Sequence, residues 1–362
     1  MRLRMGWGIV VGLMLSMAMP LQAQQKNGPT TNKSNTKNSS SKPAVKAASE
    51  PTKPVATKSE SANTDEAKKP AAAKPAAVKP AIADPEVPEG KYLLRYKLKP
   101  GQMIQSEVTH LAKTDTKIEK AEQSSQSRTV SQKIWQVESV ESNGDMTFVY
   151  SIDSVDMSQQ IGTGPETTYN SKADSEAPSI FGRVKDSIGK PLSKVTIDRL
   201  GQVVNREEGK ATPNMGMGDL AMIMPEKPIG IGDQWEAPRE IRVRTQDGGQ
   251  KTIKIRELHE LEKVSAGVAT ISIRSEPLTP ITEPEIEAQV VQQLSNGSLR
   301  FDLDAGHLIA KDLKWNEKIV GFSGPGSMME YTARYTEEVK NVEMKGIATA
   351  TKPSNESSKN KR

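Results

Sequence analysis

Met329, Tyr331, Ala333 and Tyr335 alternate with Glu330, Thr332 and Arg334. Successive side chains of an extended strand point to opposite faces, so this segment has one apolar and one wet face. The same period of two recurs. Ile241, Val243 and Thr245 oppose Arg242 and Arg244, Ile253 falls with Ile255, and Leu313 and Trp315 fall with Ile319. Half-buried strands of this kind build antiparallel sheets. Turn signals punctuate them at Asn143-Gly144, Asp247-Gly248-Gly249 and Asn296-Gly297. The expected fold is mainly β, made of antiparallel sheets from two related, duplicated units with one or two short helices.

The helices are expected where alternation stops. "MGMGDLAMIM", residues 215 to 224, precedes Pro225. "TEPEIEAQVVQQL", residues 282 to 294, has Thr282 as a capping residue and places Ile286, Val290 and Leu294 four apart on one helical face. Residues 159 to 182 are rich in Gly, Pro and Ser and read as a long loop.

Duplication is read from an order of features. Gly101, in "KPGQMI", and Gly232, in "IGIGDQW", lie 131 positions apart, and each enters a strand. Each is followed by a charged strand pair around a turn, where Val137 and Val140 match Leu261 and Val264. Each series ends in an Asp/Gly hairpin, "IDRLGQVV" or "FDLDAGHLI". Any antiparallel protein has such turns, but the shared order is hard to obtain from composition alone. Two such units would pack their apolar faces together or join into one curved sheet.

The chain contains no cysteine, so its core must be large enough to stand without disulfides. Residues 1–23 combine Arg2 and Arg4, an uncharged apolar run from Met5 to Met19, and Ala23 at a cleavage position. That is the layout of a signal peptide, with an uncleaved anchor as the alternative. The run is shorter than the ~20 residues of a membrane span. After cleavage no transmembrane segment is expected, and the location is periplasmic or extracellular.

Residues 24–90 are dominated by Lys, Ala, Pro, Ser and Thr and read as a disordered spacer. A disordered basic tail is expected over 345–362. The folded region is expected at 91–344, with unit one near 91–210 and unit two near 225–340. Of the net charge of +5, the leader, spacer and tail carry +2, +4 and +4, which leaves the folded region at −5. A nucleic-acid partner requires basic residues on the folded surface and is excluded on that ground. The Lys-rich spacer is a plain tether or a strap onto an anionic envelope surface.

Little catalytic chemistry is written in the sequence. His110, His259 and His307 have no metal-ligand spacing. "GFSGPG", residues 321 to 326, lacks the second Gly of a nucleophile elbow, since Pro325 stands there. A Ser-x-x-Lys spacing at 39 to 42 lies inside the spacer. Asp302 and Asp304 before Gly306 resemble part of a calcium loop but lack its other oxygen ligands, and turn capping accounts for them. They are the weak metal candidates and the carboxylates of a hydrolase reading. Trp135, Trp235 and Trp315 are the candidate ligand-binding residues, with core filling as the plainer role. Met215, Met217, Met222 and Met224 form an adaptable apolar cluster or ordinary packing. No cofactor is implied.

"LRYKLKPGQ", "MPEKPIGIGDQWE" and "GSLRFDLDAGHLIA" resemble an uncharacterised family of secreted bacterial β-proteins in which a Pro-x-x-Pro element precedes Gly-Asp-x-Trp. The resemblance spans roughly residues 91 to 340. It implies export and a β-rich fold, and supplies no catalytic residue. The functional expectation is a non-catalytic envelope protein binding an apolar or envelope ligand on a sheet face or between units. A carboxylate hydrolase and a structural wall component are the alternatives.

Overall fold

A computed structural model of the chain describes residues 84–208 and 221–344. The leader, most of the spacer, residues 215–220 of the first expected helix and the basic tail lie outside the described residues. Asp84, assigned to the spacer by composition, pairs with Arg95 and Arg199.

The protein is mainly β, as its alternation requires. The first run of strands is β1 (Gln102–Ile118), β2 (Ala121–Val140), β3 (Met146–Ile161), β4 (Thr167–Asn170), β5 (Pro191–Ile197) and β6 (Val203–Glu208). The second is β7 (Gln234–Arg244), β8 (Gln250–Ser265), β9 (Val268–Pro277), β10 (Asn296–Asp302), β11 (His307–Val320) and β12 (Met328–Met344). All twelve form one antiparallel sheet in the order β6-β5-β3-β2-β1-β12-β11-β10-β9-β8-β7, with β4 on the outer part of β3. The chain meanders from the middle of the sheet to one edge, resumes at the other edge, and returns to pair β12 with β1.

The two meanders share several local features. Gly101 donates its N–H to Val137 at 3.0 Å, and Gly232 donates to Leu261 at 2.8 Å. Just after these acceptors the register shifts in both, between Val137 and Ser139 and between Leu261 and Lys263. It shifts again between Thr196 and Ile197 and between Arg300 and Phe301. In the hairpins that follow, Asp198 Oδ1 accepts the N–H groups of Leu200 and Gln202, and Asp302 Oδ1 accepts those of Asp304 and Ala305.

The sheet curls toward its apolar face. Phe148, Ile152, Val195 and Ile197 of the first meander share one buried cluster with Leu261, Ile271, Leu299 and Phe301 of the second. The strand-free segment before β1 enters this cluster with Leu94, Tyr96 and Leu98. Its backbone is tied at both sides: Tyr96 N–H donates to Arg199 O and Lys97 N–H to Gly306 O, each at 3.0 Å. Gly306 has φ +67°, and a Cβ there would lie 2.4 Å from Lys97 Cβ, so only glycine admits the crossing. The Tyr96 ring meets Phe301 edge-on at 5.6 Å. Burying each large apolar side chain contributes about 1.5–3 kcal/mol, which is how a chain without disulfides holds this fold.

Several local expectations change. Asn296-Gly297 is not a turn but opens β10; a Cβ on Gly297 would meet Asp312 O at 2.0 Å, so close backbone approach selects the glycine. The expected loop 159–182 holds the end of β3, then β4, a short 3-10 turn and α1 (Gly182–Lys185). Residues 221–224 are not helical; Met222 and Met224 are buried in the main cluster. The second helix is real but shorter: α2 (Pro284–Val290) continues as a 3-10 turn to Gln293. Its first residue is Pro284, a favoured opening position, so Glu283 rather than Thr282 takes the cap place, without a side-chain cap bond.

Candidate functional site

The inward face is not uniformly apolar. Alternation places Lys133 with Ser131, Trp135 and Val137 on the buried side of β2. Lys133 is 1% exposed, and its Nζ lies 2.6 Å from Glu337 Oε1 on β12. The two side chains meet across the intervening β1, where small Ser106 stands opposite Lys133. Tyr335 O–H donates to Glu337 Oε2 at 2.8 Å, and Lys133 Nζ lies over the rings of Trp135 and Tyr150 at 5.3 and 5.9 Å. Burial opposes the Glu337 charge, but Lys133 and Lys311 outweigh it and hold the carboxyl at about 2. For Lys133 the desolvation is larger than the pull of Glu337, and its pKa is lowered.

A second charged pair lies in the other meander. Arg239 on β7 donates to Glu257 of β8 at 3.0 Å. Glu257 stands four residues before Leu261, as Lys133 stands four before Val137. Next to Glu257 on the same face is His259, fully buried, stacked on Trp235 at 5.2 Å and without a well-formed hydrogen bond at either ring nitrogen. Burial lowers its pKa to about 4, opposed by the backbone of Glu257 and Trp235.

Beyond these charges the face divides into two apolar patches. One gathers Val108, Trp315, Ile319, Met329, Tyr331 and Tyr335. The other gathers Ile241, Val243, Ile253 and Ile255. Helix α2, the excursion between β9 and β10, covers both: Ala288 and Val291 press on the first, Ile286 and Val290 on the second. Polar ties hold it, among them the ion pair of Lys251 with Glu283, the residue in its cap place, at 3.1 Å. Arg239 Nη1 donates to Gln293 O at 3.0 Å, Trp315 Nε1 donates to Leu294 O at 2.6 Å, and the Gln289 amide exchanges two 2.9 Å bonds with the Arg244 backbone.

The three candidate tryptophans all face inward but sit apart. Trp135 stacks on Phe148 at 4.4 Å in the main cluster, Trp235 stacks on His259 and donates to Ile223 O at 2.8 Å, and Trp315 lies under the end of α2. Only Trp315 borders the covered patches. Asp302 serves its own turn, and Asp304 is exposed on it. Among the described residues no group of acidic or histidine side chains could hold a metal. Sequence reading missed Lys133, Arg239, Glu257 and Glu337, although "QKIWQV" and "RELHEL" carry the signal: charged residues in phase with apolar ones.

On the inner face the described residues pack in clusters, two of which include residues of the α2 segment. An open hollow of about 480 Å³ lies instead around Leu111 (43% exposed), Lys113, Arg128 and Arg334 on the other face. Each cation there is already paired, with Asp115, Asp156 and Asp312. No helix among the described residues is long and apolar enough to cross a membrane.

The architecture is that of a curled, open antiparallel sheet with an apolar inner face closed by a short helix. No protein-family model matches the chain, and no curated protein matches it. A solved structure titled "Lipid-protein interactions in lipovitellin" is similar with a TM-score of 0.41 and 7% identity, over 70% of this chain. The chain spans 26% of the length of that structure.

Proposed function

We propose that the protein is an exported binding protein that carries a long-chain amphiphile, which takes the place of α2 on the inner face of the sheet. The observation that carries this reading is the docking of α2. A helix of seven residues, with no strand pairing to the sheet, covers two separate apolar patches that would otherwise face water. Isolated helices of this length do not hold themselves together, so α2 exists through its contacts and leaves when they are replaced. An acyl chain offers the same apolar contact. In this reading the ligand displaces the helix from the apolar patches that it covers.

Export rests on the layout of residues 1–23, and the Lys-rich spacer then tethers the folded part or lays it on an anionic envelope surface. The coincident register shifts support descent of both meanders from one duplicated segment, within the secreted β-rich family that the sequence resembles.

The test uses the full chain. Solvent extraction and mass spectrometry of the purified protein are expected to return an amphiphile near one per chain. Titrating delipidated protein with a fluorescent long-chain probe is expected to speed hydrogen exchange across residues 284–293. Absence of both bound amphiphile and probe binding, with unchanged exchange in α2, would remove the proposal.

A further inference from the structure

We infer that the outer face of the sheet binds a neutral polyhydroxyl chain, a short oligosaccharide, in the open hollow of about 480 Å³ around Leu111. This site is separate from the α2 face and does not rest on amphiphile carriage. Neighbouring strands build it. Leu111 of β1 stands directly between Arg334 of β12 and Arg128 of β2. Strands lie about 4.8 Å apart, so the two arginine backbones are roughly 10 Å apart, with the leucine as the floor between them. Alternate residues of a strand share a face, which places Lys113 and Gln126 in the next row, and Gln126 stands opposite Gln160 of β3. These two rows of long polar side chains flank a leucine that is 43% exposed.

The polar groups are already oriented. Arg128 Nη1 donates to Asp156 Oδ1 at 2.9 Å, and Arg334 donates through Nε and Nη2 to Asp312 at 3.1 and 2.9 Å. A guanidinium has five N–H donors, so each keeps donors beyond those that its aspartate accepts. The Gln160 side-chain N–H donates to Gly164 O at 3.0 Å, which holds the amide in place with its oxygen as an acceptor. Groups ordered before binding lose less freedom on binding. The balance of charge then selects the ligand. Lys113, Arg128 and Arg334 are matched by Asp115, Asp156 and Asp312, and Glu166 on the rim adds a further carboxylate. With no positive excess, an acidic ligand gains little here, and a purely apolar one strips water from the charges. A hydroxyl both donates and accepts, so one sugar hydroxyl bonds the guanidinium and the carboxylate of the same pair. The C–H face of the ring packs on Leu111 and on the aliphatic stems of the arginines. The volume falls within the range of about 300–1,000 Å³ usual for small-molecule sites.

The test is nuclear magnetic resonance of the full chain near neutral pH. The probes are cellotetraose, chitotetraose and maltotetraose, with tetragalacturonate as the acidic counterpart, each raised to about 10 mM. At least one neutral probe is expected to shift the amide resonances of residues 111–113, 126–128 and 158–160 saturably, and to leave those of 284–293 in place. Arg334→Ala removes one exposed ion pair, which contributes little to stability. It is expected to weaken that binding about tenfold or more, through lost hydrogen bonds from a charged donor. Leu111→Asp is expected to abolish it. No saturable shift with any neutral probe overturns the inference, and so does tighter binding of tetragalacturonate or a set of shifts that lies elsewhere. Undiminished binding in Arg334→Ala overturns it as well, and that variant decides alone if Leu111→Asp does not fold. Amphiphile carriage is read at α2 and stands or falls separately.

Discussion

Glu337→Gln keeps the shape of the side chain and removes its charge. Lys133 then sits 1% exposed among Trp135, Tyr150 and Ser106 with its ion-pair partner gone. Removing one partner of a buried pair costs about 3–5 kcal/mol, because the remaining charge is left in a medium that solvates it poorly. For a folded region of this size each kcal/mol moves the melting temperature by about 2–4 °C, so a fall of about 6–20 °C is expected. Urea unfolding at pH 7 measures the free energy directly.

The pH dependence tests the mechanism. Burial already lowers Lys133, and Glu337 is the group that raises it. Without Glu337 the folded-state pKa drops further, while the unfolded lysine keeps its proton to about 10.4. The unfolded state then binds more protons, so stability rises with pH across that interval. The variant is expected to rise more steeply than wild type between pH 7 and 9, narrowing the gap. Lys133→Met with Glu337→Leu, which removes both charges, is expected to recover most of the loss. A loss below about 1 kcal/mol in Glu337→Gln, with no change in the gap at pH 9, would refute the claim that burial of Lys133 governs this site.

Other outcomes follow from single residues. His259, held at about 4 by burial, takes up its proton in the unfolded chain near pH 6.5, so wild-type stability should rise by up to about 3 kcal/mol from pH 4 to 6.5; His259→Leu should flatten that slope in acid-side denaturation curves. The Glu337 carboxyl, held at about 2, contributes stability that is full above pH 4.5 and lost as pH falls toward 2, a loss that Glu337→Gln should not show. Gly306→Ala places a Cβ against Lys97 at positive φ and should cost at least about 1–3 kcal/mol by thermal melting. Trp315→Phe removes the donor to Leu294 O and should speed hydrogen exchange in residues 284–293 before it affects the rest of the sheet.

What the sequence disclosed was local. Met329, Tyr331, Ala333 and Tyr335 are buried, and Glu330, Thr332 and Arg334 are not, because a strand's two faces are written in adjacent residues. The sequence set Gly101 beside Gly232 and Val137 beside Leu261, but the bonds that join each glycine to its apolar partner were not legible in it. Nor was the pairing of β1 with β12, since nothing in either strand names a partner more than 200 residues away. The same holds for Lys133 and Glu337, 204 positions apart: alternation put the lysine on the buried face, but only the fold shows what neutralises it. Asn296-Gly297 misled because glycine serves two needs. A turn uses its conformational freedom, and here the approach of the Asp312 carbonyl uses its missing side chain.

The two meanders differ most where each leaves its third strand. In the first, the excursion from β3 to β5 is laced to the sheet: β4 pairs with β3 from Asp156 to Gln159, Ser171 N–H donates to Val155 O at 2.9 Å, and Tyr169 stacks near Phe181. In the second, the excursion is tied at its start by Leu278 N–H donating to Lys254 O, and α2 itself has no ladder and is held by apolar contact plus side-chain bonds from Lys251, Arg239, Gln289 and Trp315. Backbone ladders open cooperatively with their strand, whereas a short helix docked by side chains opens alone. Opening of the inner face therefore falls at α2, over the patch that Trp315 borders. Exchange protection should be lowest there among the buried elements even without ligand, and an α2 as protected as β3 would place the movable cover elsewhere.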